Sequence, residues 1–210
     1  MSAFDAVIFD MDGVLIDARD WHYHALNEAL AYFGTEISRQ EHISEFDGLP
    51  TKTKLEMLTQ RGRLPGNIHG VINAIKQERT LRQAAQYCFP NVEHLVLLGW
   101  LKSNGFKLAV ATNSIRDSST TMLKFAGVLP LLDGLVTNQD VSKPKPYPEI
   151  YIKATELLGV DPSRTLVIED HEYGVQAATD AGCRVIRVEG PDQVNLSLIQ
   201  QAIEGLVNND

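Results

Sequence analysis

Ala6-Val7-Ile8-Phe9-Asp10-Met11-Asp12-Gly13 is the stretch that decides the fold of this chain. Four apolar residues run into two aspartates flanking Met11, and then into a glycine. A short apolar run bounded by turn-type residues reads as a buried strand of a parallel sheet. The pattern returns twice. Leu108-Ala109-Val110-Ala111 runs into Thr112-Asn113-Ser114, and Leu166-Val167-Ile168 runs into Glu169-Asp170. In an open α/β sheet the ligand crevice lies outside the carboxyl ends of the strands, so three such ends meet in one place. That place gathers carboxylates and a hydroxyl, a set suited to a magnesium ion and a phosphate.

Outward from these runs, the sequence predicts strands over Ala6 to Phe9, Phe106 to Ala111, Leu132 to Thr137, Thr165 to Ile168 and Arg184 to Val188. Helical patterns over Val92 to Ser103, Arg116 to Phe125, Pro148 to Leu158 and Glu172 to Ala181 alternate with the later strands. Such alternation predicts an α/β fold with a doubly wound, Rossmann-like parallel sheet. Between the first two strands the pattern is helical throughout. Asp20 to Phe33 is stopped by Gly34, and Ser38-Arg39-Gln40-Glu41 has the capping-box pattern of a helix start. Thr51 to Arg61 is closed by Gly62, and a further helix spans Asn67 to Tyr87. The expected organisation is a core of residues 1–16 and 88–210, interrupted by an all-helical cap domain of residues 17–87.

The chain has 210 residues, 44% hydrophobic and 22% charged, enough for one core domain and a smaller insert. Its net charge of -8 argues against a nucleic-acid backbone or an anionic membrane as the main partner. Cys88 and Cys183 stand alone, without a CxxC motif or a disulfide framework, which points to a reducing, cytoplasmic setting. The N-terminus has no basic region and meets Asp5 and Asp10 early, unlike a signal peptide. The longest strongly apolar stretch, Leu95 to Leu101, is far short of a membrane span. The expectation is a cytoplasmic monomer or weak homodimer whose partner is a small metabolite.

Each candidate site residue carries two readings. Asp10 and Asp12 can serve as nucleophile and proton donor to a phosphate ester, or be solvated aspartates of a turn. An EF-hand fits less well, because the glycine is misplaced and no glutamate stands at the twelfth position. Thr112, Asn113 and Ser114 can grip a phosphate at a helix N-terminus, or merely cap that helix. Lys145, in Lys143-Pro144-Lys145-Pro146-Tyr147-Pro148, sits in a segment stiffened by prolines and can be aimed at low entropic cost. Its work there is to offset the charge of phosphate and nucleophile. Glu169 and Asp170 offer hard oxygen ligands for Mg²⁺, or complement a helix dipole.

Taken together, Asp10-Met11-Asp12-Gly13-Val14, Thr112-Asn113-Ser114, Lys145-Pro146-Tyr147-Pro148-Glu149-Ile150-Tyr151 and Glu169-Asp170 resemble, in order and context, the four motifs of the haloacid dehalogenase-like superfamily. The likeness extends through Gly174-Val175, Ala177-Ala178 and Ala181-Gly182. It is closest to the subgroup with a small helical cap, which holds β-phosphoglucomutase and many sugar-phosphate phosphatases. The resemblance implies that Asp10 is nucleophile and metal ligand. It implies that Asp12 is general acid and base and lends its backbone carbonyl to the metal. Thr112 and Lys145 would hold the transferring phosphoryl group, and Glu169 and Asp170 would complete the Mg²⁺ shell.

By the same resemblance, His22 and Lys76 occupy positions where β-phosphoglucomutase has a hinge-side histidine and a cap lysine. Either residue can instead be structural, His22 packing on its helix and Lys76 lying in a solvated charged run. The mutase's cap arginine is absent: Gly48-Leu49-Pro50-Thr51-Lys52 has a threonine there, with Lys52 beside it. Lys52 and Arg116 are the cations left to grip a distal phosphate. The expected activity is therefore Mg²⁺-dependent hydrolysis of a small phosphomonoester, a sugar or polyol phosphate, through an aspartyl-phosphate. The alternatives are a hexose-phosphate mutase and a non-catalytic phosphometabolite-binding protein.

Overall fold

A computed structural model describes residues 3–205; the outermost residues of the expected core, 1–2 and 206–210, lie outside the described part. Five strands form one parallel sheet: β1 (Ala6–Phe9), β2 (Lys107–Thr112), β3 (Gly134–Thr137), β4 (Thr165–Glu169) and β5 (Arg184–Arg187), in the order β3-β2-β1-β4-β5. The first strand in sequence is thus the central one. Ala6 pairs with Lys107 on one side and Thr165 on the other, and Phe9 with Val110 and Ile168.

Successive strand residues face opposite sides of the sheet. Ala6, Ile8, Ala109, Ala111, Val167 and Val185 form one buried layer, covered by α7 (Glu149–Leu158) and α8 (Glu172–Asp180). Val7, Phe9, Leu108, Val110, Leu166 and Ile168, all fully buried, form the other. Beyond them α5 (Val92–Ser103) packs on β2 and on α9 (Leu196–Ile203), while α6 (Arg116–Phe125) packs on β3. Strands buried on both faces explain the near-continuous apolar runs of the sequence. The sheet is doubly wound, as its alternation of elements predicts.

By its contacts the chain divides into two compact units, Met1–Asp17 with Cys88–Asp210, and Ala18–Tyr87. The second is helical: α1 (Arg19–Ala31), α2 (Arg39–Glu41), α3 (Thr51–Gln60) and α4 (His69–Tyr87), with α1 packed along α4. Leu30, Ile37, Phe46, Leu55, Leu58 and Ile72 make its core. Ser38 caps α2 by accepting the Glu41 N–H at 3.1 Å, but after one turn the helix widens into a π-helix over His42–Phe46. No helix among the described residues is long and apolar enough to cross a membrane.

Some boundaries differ from expectation. The strand expected from Leu132 begins at Gly134, because Leu129–Leu131 forms a 3-10 turn and Asp133 uses its side chain to accept the Leu108 N–H at 2.8 Å. Thr112 lies within β2, where it pairs with Thr137. The helix α9 was not expected; Asn195 starts it by accepting the Leu198 N–H at 3.0 Å.

Candidate active site

The strand register places the site. Phe9 stands beside Val110 and Ile168, so Asp10 emerges level with Ala111 and Glu169 at the carboxyl edge of three adjacent strands. The Asp10 N–H still donates to the Ile168 carbonyl at 2.9 Å, extending the ladder by one bond. Into this edge reaches Lys145, from the loop before α7. Its ammonium donates to Asp10 Oδ1 at 2.6 Å, to Glu169 Oε1 at 2.5 Å and to the Ala111 carbonyl at 2.9 Å. A lysine has three donors, and here each has an acceptor. Lys145 is 5% exposed, Asp10 8% and Glu169 1%, so this is a buried ion cluster rather than a surface pair.

Glu169 is held on every side. Oε1 also accepts the Tyr151 hydroxyl at 2.7 Å, and Oε2 accepts the N–H groups of Asp170 at 3.1 Å and His171 at 3.3 Å. A carboxylate has about four lone-pair directions, and all are engaged. The carboxylate lies directly against Gly174 in the first turn of α8: a Cβ there would fall 1.7 Å from Oε1. Gly13 has a parallel reason to be glycine. Its φ is +97°, and a Cβ would fall 2.0 Å from Asp170 Oδ2. The Asp170 carboxylate therefore rests on the turn that carries Asp10 and Asp12.

The segment after β2 faces the same edge. Thr112 is buried, and its Oγ1 accepts the Ser114 N–H at 3.0 Å. Ser114 Oγ donates to Asp12 Oδ2 at 2.8 Å. The Asn113 side chain turns to the backbone of Lys145: Oδ1 accepts the Lys145 N–H at 3.1 Å, and Nδ2 donates to the Lys145 carbonyl at 3.5 Å. On the other side of that loop, Glu149 accepts the N–H groups of Ser142 and Lys143, each at 2.9 Å, and these bonds lower its carboxyl below the usual range.

Charge inside the cluster is unbalanced. Burial pushes the Asp10 carboxyl well upward against the pull of the Lys145 ammonium, and the Glu169, Asp170 and Asp12 charges add to the push. Burial alone would lower Lys145, but Asp10 and Glu169 hold it above its ordinary value. Tyr151 is raised by burial and by the Glu169 charge, and so remains a donor. Carboxylate oxygens of Asp10, Glu169 and Asp170 lie within 4.8 Å of one another. Three carboxylates facing one ammonium leave negative charge over; with Glu169, an expected Mg²⁺ ligand, saturated by its hydrogen bonds, the oxygens of Asp10 and Asp170 are the hard donors that fit a Mg²⁺ ion.

The remaining expected residues lie apart from this cluster or in the helical unit. Arg116 begins α6, where its guanidinium pairs with Asp140 at 2.5 Å. Asp140 also accepts from the Thr137 N–H and hydroxyl, so Arg116 is part of a strut beside β3. In the helical unit, the buried Lys76 ammonium lies 3.1 Å from His22 Nδ1. Lys52 is highly exposed, 4.0 Å from Glu56 on its own helix.

Sequence reasoning did not single out Tyr151, Gly174 or Glu149 as working parts of the site. Tyr151 lies on the apolar face of α7, where an aromatic residue reads as core, and only its partner 18 residues away gives it a task. Gly174, opening an otherwise helical stretch, carried the one available signal, since a glycine inside a helix costs about 1 kcal/mol without a packing reason.

The sequence profile of the haloacid dehalogenase-like hydrolases matches residues 7–188. A phosphorylated carbohydrates phosphatase of Thermotoga maritima is 29% identical over 178 residues, covering 85% of this chain and 82% of that one. The fructose-1-phosphate phosphatase YqaB of Escherichia coli is 28% identical, covering 88% of this chain and 96% of its own length. Among solved structures, CbbY of Rhodobacter sphaeroides in complex with phosphate superposes with a TM-score of 0.80 at 27% identity, over 89% of this chain and 87% of that chain. With its parallel sheet, its helical insert and its acidic strand ends, the chain belongs to the haloacid dehalogenase-like hydrolase family.

Proposed function

We propose that this chain is a Mg²⁺-dependent phosphomonoesterase acting on a small phosphorylated carbohydrate or polyol. The observation that carries the reading is the buried cluster in which Lys145 bridges Asp10 and Glu169, with Asp170 alongside. Lys145 holds Oδ1 of Asp10, so Oδ2 attacks phosphorus while the bond to the ester oxygen breaks. Asp12, oriented by Ser114, gives its proton to the leaving oxygen. The departing alcohol is then replaced by water. Asp12 takes a proton from that water, whose oxygen attacks the phosphoryl group on Asp10 and restores the carboxylate. Thr112 steadies a phosphoryl oxygen through both displacements, and the Lys145 ammonium, its donors engaged, lends positive charge beside the phosphoryl group.

Asp10, Asp170 and the backbone carbonyl of Asp12 would hold Mg²⁺, and the saturated Glu169 contributes charge and orientation. The ion supplies a counter-charge to the carboxylates and the phosphate dianion. The phosphatase relatives support a phosphorylated carbohydrate as substrate. The helical insert acts as the cap that selects it, and His22 and Lys76 are its polar contribution: a buried ammonium suits a phosphate ester or the hydroxyls of a sugar. The two separate buried thiols, Cys88 and Cys183, fit a reducing, cytoplasmic setting.

Hydrolysis is favoured over mutase chemistry by the cations. A mutase holds a bisphosphate by its far phosphate while the sugar reorients, and the arginine suited to that grip is absent. Arg116 is engaged by Asp140, and Lys52 lies beside Glu56 in water. The test is a panel of phosphorylated metabolites assayed for free phosphate with Mg²⁺. Release from sugar or polyol phosphates is expected. Conversion of β-glucose 1-phosphate to glucose 6-phosphate in the presence of a trace of glucose 1,6-bisphosphate, without free phosphate, would overturn it.

A further inference from the structure

We propose that Asn113 is a positioning residue that acts through Lys145. It stands in the segment where a phosphate ligand is expected, yet its amide makes a two-point brace on the main chain of Lys145. Its own carbonyl accepts the Asn138 side-chain N–H at 2.7 Å, which fixes the turn from below. The brace spans 32 residues, from the end of β2 to the loop before α7.

What it positions is a single ammonium with no slack. All three Lys145 donors are engaged, two of them by the carboxylates of Asp10 and Glu169. A shift of the loop therefore moves the Lys145 charge away from Asp10 Oδ1 and frees the nucleophile to rotate. Glu149 anchors the same loop at Ser142 and Lys143, whereas Asn113 binds the main chain of Lys145 itself. The amide fits this task because it offers an acceptor and a donor on one plane, matching the N–H and carbonyl of one residue.

The inference rests on the phosphatase reading, and a double-mutant cycle separates the two. Asn113→Ala, Lys145→Arg and the double variant are compared for kcat/KM on p-nitrophenyl phosphate. Binding of inorganic phosphate in Mg²⁺ is measured by calorimetry, and melting temperature is measured for each protein. Lys145→Arg is chosen because it keeps a cation between Asp10 and Glu169 and so keeps the fold. Asn113→Ala alone is expected to lose about 10- to 100-fold in kcat/KM, the range for a slightly misplaced catalytic group, while melting within a few degrees of wild type. In the Lys145→Arg background the same change should cost less than about 3-fold. The full loss in both backgrounds would mean that Asn113 acts on phosphate directly, and an unchanged Asn113→Ala enzyme would mean that it positions nothing. Either result overturns the proposal. A wild type that hydrolyses no phosphomonoester removes the phosphatase reading, whereas the cycle on phosphate binding still decides the role of Asn113.

Discussion

Ser114 holds Asp12, donating from Oγ to Oδ2 at 2.8 Å across 102 residues of sequence. The hydroxyl fixes the carboxyl proposed to protonate the leaving oxygen, so Ser114→Ala should affect leaving groups unequally. The expected loss in kcat is about 10-fold for a sugar phosphate and much less for p-nitrophenyl phosphate, whose phenolate needs little protonation. Asp12→Asn should show the same asymmetry more strongly. Steady-state kinetics on the two substrates checks this, and an equal loss on both would contradict the acid role of Asp12.

Removal of metal should silence the enzyme. Asp10, Glu169 and Asp170 crowd their oxygens within 4.8 Å of one another, and a phosphate dianion meets them unfavourably without a counter-ion. Chelation is expected to abolish phosphate release, and Mg²⁺ to restore it. Asp10→Asn should show no detectable turnover even with metal, because it removes the proposed nucleophile. Full activity after exhaustive chelation would remove the metal from the reading.

Two glycine substitutions should move stability in opposite directions. At Gly174 an added Cβ would meet Glu169 Oε1 at 1.7 Å, so Gly174→Ala must displace a buried, fully bonded carboxylate. Overpacking of this kind costs about 3 kcal/mol. Gly99 lies inside α5 with nothing within 4 Å of the corresponding position, so Gly99→Ala should stabilise by about 0.5–1 kcal/mol through helix propensity. Urea denaturation of the two variants measures the contrast.

The helical unit should weaken in mild acid through His42. Its ring is buried, and desolvation, followed by the Lys54 charge, lowers its pKa from 6.5 to about 4, against the smaller upward pull of Asp47. The unfolded chain takes up a proton as pH falls through 6.5, while the folded unit refuses it until about 4. Its stabilising contribution is therefore complete above pH 6.5 and lost on descending toward 4, a change of about 3 kcal/mol. His42→Leu should flatten the dependence of unfolding free energy on pH across that window. A slope identical to wild type would show that His42 does not titrate there.

The sheet was legible because its three inner strands, β2, β1 and β4, are buried on both faces, and burial of that kind writes uninterrupted apolar runs ending in polar residues. The meeting of Asp10, Thr112 and Glu169 follows from the parallel register of neighbouring strands, whereas the order of the strands carries no sign in the sequence and comes from the structure. The details that failed were those set by single contacts. Asn113 and Tyr151 carry no local sign of their partners, which lie 32 and 18 residues away. The capping box at Ser38 announced a helix start correctly, but nothing in hydrophobic spacing signals that the next turn closes with the Asp47 N–H on the His42 carbonyl. The short α9 escaped because an eight-residue helix shows barely two turns of pattern.

The central place of β1 has a consequence for how the chain is made. This strand is synthesised first, yet its nearest partner, β2, begins about 100 residues later, and its other partner about 160 residues later. Until then its apolar residues have no sheet to join. The helical unit, whose contacts are closer in sequence, is complete by Tyr87 and emerges from the ribosome before any strand pair can form. The insert is thus positioned to fold early while the sheet waits for its middle, and translation pauses between Tyr87 and Lys107 would prolong the interval in which β1 is open to aggregation or to a chaperone.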